Sequence, residues 1–228
     1  MTYTLHYAPD NASLIVRFAL EELGVPYHAL LVDRRKNAQK SKAYLALNPS
    51  GRIPVLETMD RPIFETGAIL MWLVDQHQAL GPAPTDAERP MFLSWLFYVS
   101  NTLHPDLIAL FYPERYADPD TGTDFTLRTQ NRVDAAFRLI DAAYPNWGAH
   151  DAATNVIELY VATALRWCQL YPISACNWFD ISDYPALFAM AKKLEQRPAI
   201  HAAILAEGLN ETPFSCAEYA TPPEGSAV

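Results

Sequence analysis

The chain is poor in cysteine, glycine and positive charge, and each shortage removes a class of protein. Its 228 residues include only three cysteines, Cys168, Cys176 and Cys216. Three thiols cannot all pair within one chain, and none forms a CxxC. They read as reduced core thiols of a cytoplasmic protein rather than as a disulfide framework. Eight glycines, with neither GxGxxG nor GxxxxGK[ST] among them, leave no backbone cradle for phosphate. A GxSxG nucleophile turn is missing too. Lys and Arg number 17 against 26 Asp and Glu, a net charge of −9. The densest basic stretch, Arg34–Arg35–Lys36 with Lys40 and Lys42, is too short and local for a nucleic-acid surface. No apolar run exceeds Ala68–Val74, against the roughly 20 residues that span a bilayer, so no membrane partner is expected. The N-terminus lacks the basic start and apolar stretch of a secretion signal. His6, His28, His77, His104, His150 and His201 are scattered without HxxxH or HExxH spacing, so no metal site is expected.

Apolar residues make up half the chain and aromatic ones 12%, enough for a sizeable core without covalent staples. The length admits two small domains or one large one. Tyr3–Tyr7 reads as a strand. Asp10, Asn11 and Ser13 are cap-type residues ahead of a helix with Ile15, Phe18, Ala19 and Leu23 on one face, stopped by Gly24. Tyr27–Asp33 is β-like, Lys42–Leu47 a short helix, Ile53–Met59 and Pro62–Phe64 two strands, and Thr66–His77 a helix. The order β-α-β-α-β-β-α occupies residues 1–80. Gly81-Pro82-Ala83-Pro84 opens a linker over 81–88. Residues 89–210 read as all-helical: a long aromatic helix over Glu88–Tyr116 that Pro105 should kink or split, then Phe125–Tyr144, Asn155–Leu170, Tyr184–Gln196 and Pro198–Glu207. Asn155 and Glu158 have capping-box spacing. Pro198 and Gly208 fit the first helical and C′ positions of the last helix. The Pro-containing tail, 211–228, is expected to be loosely ordered.

Three clusters in the first 80 residues could carry chemistry. In Tyr7-Ala8-Pro9-Asp10-Asn11-Ala12-Ser13 a hydroxyl stands beside the unpaired N–H groups of a helix start. It is either an ordinary cap or a group that stabilises a thiolate or another anion. In Asn48-Pro49-Ser50-Gly51-Arg52-Ile53-Pro54-Val55-Leu56 a proline opens a strand, which marks a sheet edge or a cis bond. A cis bond would leave the Ile53 backbone groups free to pair with a peptide-like ligand. In Phe64-Glu65-Thr66-Gly67-Ala68-Ile69 a carboxylate and a hydroxyl share a helix N-terminus. That combination either caps the helix or holds the ammonium and carboxylate of an α-amino acid head.

Taken together, these segments resemble the glutathione transferase family. NPSGRIPVLE is similar to its cis-proline segment, and FETGAILMWL to its γ-glutamyl motif. The spacing from Leu45 to Thr66 and the Asn155–Glu158 box with Ala164-Leu-Arg-Trp also fit. Glu195-Gln-Arg-Pro198 and Leu205-Ala-Glu-Gly-Leu209 are similar to the C-terminal end of bacterial beta-class members. The resemblance implies a thioredoxin-like βαβαββα domain followed by an all-helical one, with glutathione as co-substrate. The Ile53 backbone would meet its cysteinyl part, Glu65 and Thr66 its γ-glutamyl part, and Arg52, with Lys36 as a second candidate, its glycyl carboxylate. A small-molecule electrophile would lie against the first half of the helical domain, where Trp95, Phe97, Tyr98, Phe111, Tyr112 and Tyr116 either line a pocket or serve as core and dimer contacts. Homodimers are the rule in that family.

Three departures bear on mechanism. Ala12 stands where beta-class members carry cysteine, Leu103-His104-Pro105 replaces Leu-His-Lys, and Phe97 falls where an asparagine is expected. Ser13 is therefore the expected thiol donor, a hydrogen-bonding group rather than a nucleophile, with Tyr7 and Asn11 behind it. The alternatives are a non-catalytic glutathione-binding module and a glutathione-dependent disulfide reductase.

Overall fold

The computed structural model describes every residue except Met1, Pro119, Thr121, 149–152, 174–176 and Val228. Cys176 and His150 lie outside the described residues. The chain forms two compact units, one of residues 1–86, 196–211 and 219–228, the other of 87–195 and 212–218. The last helix, expected in the helical domain, thus belongs to the first unit.

In the first unit β1 (Tyr3–Tyr7), α1 (Ser13–Leu23), β2 (Tyr27–Leu31), α2 (Lys42–Leu47), β3 (Val55–Glu57), β4 (Pro62–Phe64) and α3 (Thr66–His77) follow in the expected order. The sheet order is β2-β1-β3-β4, with β1 parallel to β2 and the other pairs antiparallel. This is the thioredoxin-like arrangement. Strand alternation sorts β1 between two layers. Tyr3 meets Trp72 and His77 of α3, and Tyr7 lies under the Arg17 guanidinium of α1. His6, on the opposite face, meets Tyr44 of α2 and bonds Glu57. Gly24 ends α1 at φ 61°, as a C′ glycine should. The start of α1 differs from expectation: Ala12 holds the cap position with no side-chain cap, because the cap-type Ser13 is already the first helical residue. β1 and β4 have the expected bounds, while β2 ends at Leu31 rather than Asp33 and β3 covers only Val55–Glu57, beginning after the Ile53–Pro54 bond, which is cis.

The second unit is built on α4 (Arg89–Tyr98), α5 (His104–Phe111), α6 (Gly122–Trp147), α7 (Val156–Leu170) and α8 (Pro185–Leu194). The long aromatic helix is interrupted just before Pro105, which lies in the first turn of α5. A π-helical turn over Val99–Leu103 precedes α5, with the His104 N–H reaching back to the Val99 carbonyl. Proline has no N–H for the usual i−4 partner, and a wider turn absorbs the missing bond. α7 is buried on every side except at Gln169, so it is the centre of this unit. Its capping box is formed. Asn155 Oδ1 accepts from Ile157 N and Glu158 N at 3.0 Å, and the buried Glu158 carboxylate accepts from Asn155 N, Thr154 Oγ1 and Tyr144 Oη.

The expectation for the tail is overturned. Within the second unit Phe214 is fully buried, Arg166 donates to the Pro213 and Glu218 carbonyls, and Glu195 accepts from Phe214 N, Ser215 N and Ser215 Oγ. Paired backbone and a buried ring outweigh the tail's proline content. The thiols divide as well: Cys168 is buried, as expected of a core thiol, but Cys216 is exposed.

Because α7 nucleates the second unit's core, its cap is a sensitive point. Asn155→Ala should lower stability by about 1–2 kcal/mol, read as a shifted denaturation midpoint with an unchanged slope.

Candidate active site

Sheet register brings the three clusters to one end of the first unit. His6 pairs with Val55, and Val55 with Phe64, so the next rung outward places Tyr7, Pro54 and Glu65 side by side. Tyr7 also pairs with Leu31 of the parallel β2, which adds Asp33–Lys36 to the same end.

At the first cluster, Asp10 adopts φ 49° and donates its N–H to Glu207 Oε2 at 2.9 Å. Glu207 sits in α9 (Pro198–Glu207) and also pairs with Arg17 Nε at 2.8 Å; both side chains are buried. Burial pushes the Glu207 carboxyl up to about 7, against the opposing pull of Arg17 and the Asp10 N–H. The Ser13 hydroxyl is fully buried; it donates to the Ala8 carbonyl at 3.0 Å and accepts from the Ala8 N–H at 3.2 Å. It ties the end of β1 to the start of α1, and its one proton is committed there. The hydroxyl that the sequence offers as thiol donor is thus engaged by the Ala8 backbone. Tyr7 is committed as well, its hydroxyl donating to Glu224. Half-buried Asn11 is different: its Oδ1 accepts from Ala12 N at 2.8 Å, while its two amide hydrogens have no partner among the described residues.

At the second cluster, the Arg52 carbonyl accepts from Tyr44 Oη and Asn48 Nδ2, both at 2.8 Å, and Asn48 Oδ1 accepts from Ser50 N and Ser50 Oγ. These bonds, with Gly51 at φ 63°, fix the loop into the cis Ile53–Pro54 bond. The Ile53 backbone groups then have no partner among the described residues. The Arg52 side chain is exposed. Lys36 is exposed too and meets Asp33 at 3.3 Å.

At the third cluster Glu65 holds φ 71° and ψ 119° at the cap of α3, without a side-chain cap bond. A left-handed, non-glycine residue costs about 1–3 kcal/mol and is characteristic of binding sites. The carboxylate is exposed and, among the described residues, unpartnered; capping therefore does not account for it. Thr66 beside it is buried.

In the helical unit, His104 Nδ1 lies 2.6 Å from Tyr160 Oη, and its ring is 5.5 Å from Trp167. Several rings of the aromatic set make contacts within this unit, Trp95 with Trp147, Phe111 with Tyr171 and Tyr116 with Phe125, while Phe97 is half exposed. Among the described residues no three His, Cys, Asp or Glu gather as around a metal, and no helix is long and apolar enough to cross a membrane.

The model of the glutathione S-transferase N-terminal domain matches residues 12–76. Glutathione S-transferase GST-4.5 of Xanthomonas campestris pv. campestris is 29% identical over 216 residues, 90% of this chain and 99% of that one. The solved structure of a sphingomonad glutathione S-transferase, complexed with glutathione, is 30% identical, covers 91% of this chain and all of its own, and superposes with a TM-score of 0.74. The chain belongs to the glutathione transferase family. A bacterial beta-class member from Sphingomonas chungbukensis is 28% identical, with coverage of 90% and 98% and a TM-score of 0.73. Likeness over nearly the whole chain makes this an enzyme of the transferase type.

Two residues at this end of the sheet were missed from sequence. Glu207 lies in the Leu205–Leu209 segment already noted for its resemblance, so a signal existed. Glu224 sits in a proline-containing tail with no pattern to mark it.

The Glu207 carboxyl is raised from its ordinary value of 4.5 to about 7, so between those pH values the folded chain binds more protons than the unfolded one. Stability then falls as pH rises through that window. Glu207→Gln should flatten the fall, seen by comparing the two proteins' melting temperatures between about pH 5 and 7.5.

Proposed function

We propose that the chain binds glutathione across the end of its thioredoxin-like sheet and activates the thiol for attack on a small, mostly apolar electrophile. The observation that carries this reading is the strained Glu65 one rung from the Ile53 backbone, both without partners among the described residues. Glu65 would hold the γ-glutamyl ammonium, the Thr66 hydroxyl and N–H its carboxylate, and the Ile53 N–H and carbonyl the cysteinyl residue in strand-like pairing. Arg52, assisted by Lys36, would meet the glycyl carboxylate.

With Ala12 in place of the beta-class cysteine, a mixed disulfide through that position is impossible. With the Ser13 proton given to Ala8, activation falls to the Asn11 amide and the positive end of α1. A free cysteine thiol has a pKa near 8.5. One charge-assisted hydrogen bond plus a helix N-terminus would lower it by about one to two units. The thiolate then forms the new C–S bond while the electrophile either expels its leaving group as an anion or shifts its π-electron pair onto the neighbouring atom, which takes a proton from solvent. A homodimer in the cytoplasm, without membrane or nucleic-acid partners, accompanies this reading.

A non-catalytic glutathione-binding module is the second reading, favoured by one observation: two of the three expected thiol donors are already committed. Retention on glutathione resin followed by aryl-halide conjugation separates the two, and a disulfide-reduction assay identifies a reductase. Bound glutathione without turnover in either assay supports the module; no retention sinks both.

Glu65→Ala should weaken glutathione binding by about 2–5 kcal/mol, measured by titration calorimetry, with the fold intact. Asn11→Ala should raise the pKa of the bound thiol and slow conjugation about tenfold or more near neutral pH. Ser13→Ala, by contrast, should cost stability on the order of 1–3 kcal/mol from the orphaned Ala8 groups. Its pH–rate profile should not shift.

A further inference from the structure

Residues 219–227 return along the first unit as a strap. Its start is fixed where the Thr221 N–H donates to the Gly208 carbonyl at 2.8 Å. Gly208 has φ 62°, and a Cβ there would lie 2.2 Å from the Thr221 carbonyl oxygen, so this docking requires glycine. Further on, Ala227 is buried and its carbonyl accepts from Arg34 Nη1 at 3.5 Å. Between these anchors Glu224 accepts the Tyr7 hydroxyl proton. The strap and the turn after β1 enclose a small cavity lined by Ala8, Pro9, Val32, Glu224 and Ala227 among others.

A phenol has one proton to donate. While Glu224 accepts it, Tyr7 cannot donate to a thiolate, although it stands on the same rung as Pro54 and directly precedes the turn that holds Asn11. The second Glu224 oxygen is buried and has no hydrogen-bond partner among the described residues. Opening the strap would return that oxygen to water and free the Tyr7 hydroxyl for another acceptor. Arg17 keeps the Tyr7 ring in place independently of the strap, its guanidinium 4.6 Å above the ring centre.

We propose that Glu224 is the residue that decides which group activates the thiol: the closed strap silences Tyr7 and leaves the task to Asn11, and opening the strap adds Tyr7 as a second donor. This rests on the glutathione-transferase reading above.

The test uses the full chain, Glu224→Ala, a truncation after Thr221 that keeps the Gly208 contact, and Tyr7→Phe combined with each. Glu224→Ala and the truncation should both raise the conjugation rate near neutral pH about tenfold, with the bound thiol titrating about one unit lower. The gain should vanish when Tyr7→Phe is added. No gain in either variant, or a gain that survives Tyr7→Phe, overturns the proposal. Ultraviolet titration of tyrosinate without ligand, using Tyr7→Phe as the spectral blank, reads the contact itself: Tyr7 should ionise at lower pH once Glu224 is gone. That shift without a rate gain overturns silencing alone. If calorimetry finds no glutathione binding in any variant, the transferase reading falls and the donor role of Tyr7 falls with it.

Discussion

The buried pair of Arg17 and Glu207 is the constraint around which the first unit is arranged. Glu207 ends α9, Arg17 lies mid-way along α1, and the second Glu207 oxygen holds the Asp10 N–H in a left-handed turn. A buried ion pair contributes little net stability against an apolar substitute, but removing one partner strands the other charge. The pair therefore fixes position more than it adds energy. Arg17 also spans Tyr7 and donates to the Tyr27 hydroxyl, which in turn donates to Glu21 at 2.5 Å. A second ion pair, Arg197 with Glu22, ties the same two helices at the far end of α1. The turn that carries Asn11 is thus set by a residue almost 200 positions away, which is why the last helix counts with the first unit rather than with the helices that precede it.

Local signals were legible in the sequence where one residue decides a conformation. Gly24 and Gly208 end their helices in the left-handed region, Asn155 and Glu158 close a capping box, and Pro105 marks the break in a helix. The element order of the first unit could be read in the same way, since each piece has its own period and its own punctuation. The Ile53–Pro54 bond is legible because a strand-opening proline marks a sheet edge or a cis bond.

The use of Ser13 is not legible in the sequence, for a reason that is also physical. A hydroxyl at a helix start has two uses, toward the ligand or toward the preceding loop, and adjacency in sequence does not distinguish them. The distance from Ser13 Oγ to both polar groups of Ala8 decides it. The tail was misread because composition weighs prolines and small residues, whereas its order comes from distant side chains: Arg166, Gln169 and Glu195 saturate the backbone of 213–218. Contacts of such sequence separation leave no periodic trace.

On the proposed reading, peptide recognition and thiol activation would rest on different parts of the fold. Ile53, Glu65 and Thr66 are placed by neighbouring rungs of a four-stranded sheet and by the first turn of α3, all within 14 residues of one another. Losing a cysteine at position 12 leaves that arrangement untouched. On the same reading, the thiol end would depend instead on which of three side chains near one turn has a proton to offer. Ser13 gives its proton to the loop, Tyr7 gives its proton to the strap, and Asn11 keeps both amide hydrogens after its oxygen has accepted from Ala12. An amide is a weaker donor than a phenol, but its protons cannot be lost near neutral pH. A site that activates a thiol through Asn11 thus keeps its donor at every pH where the thiolate forms, and its rate follows the thiol's ionisation alone.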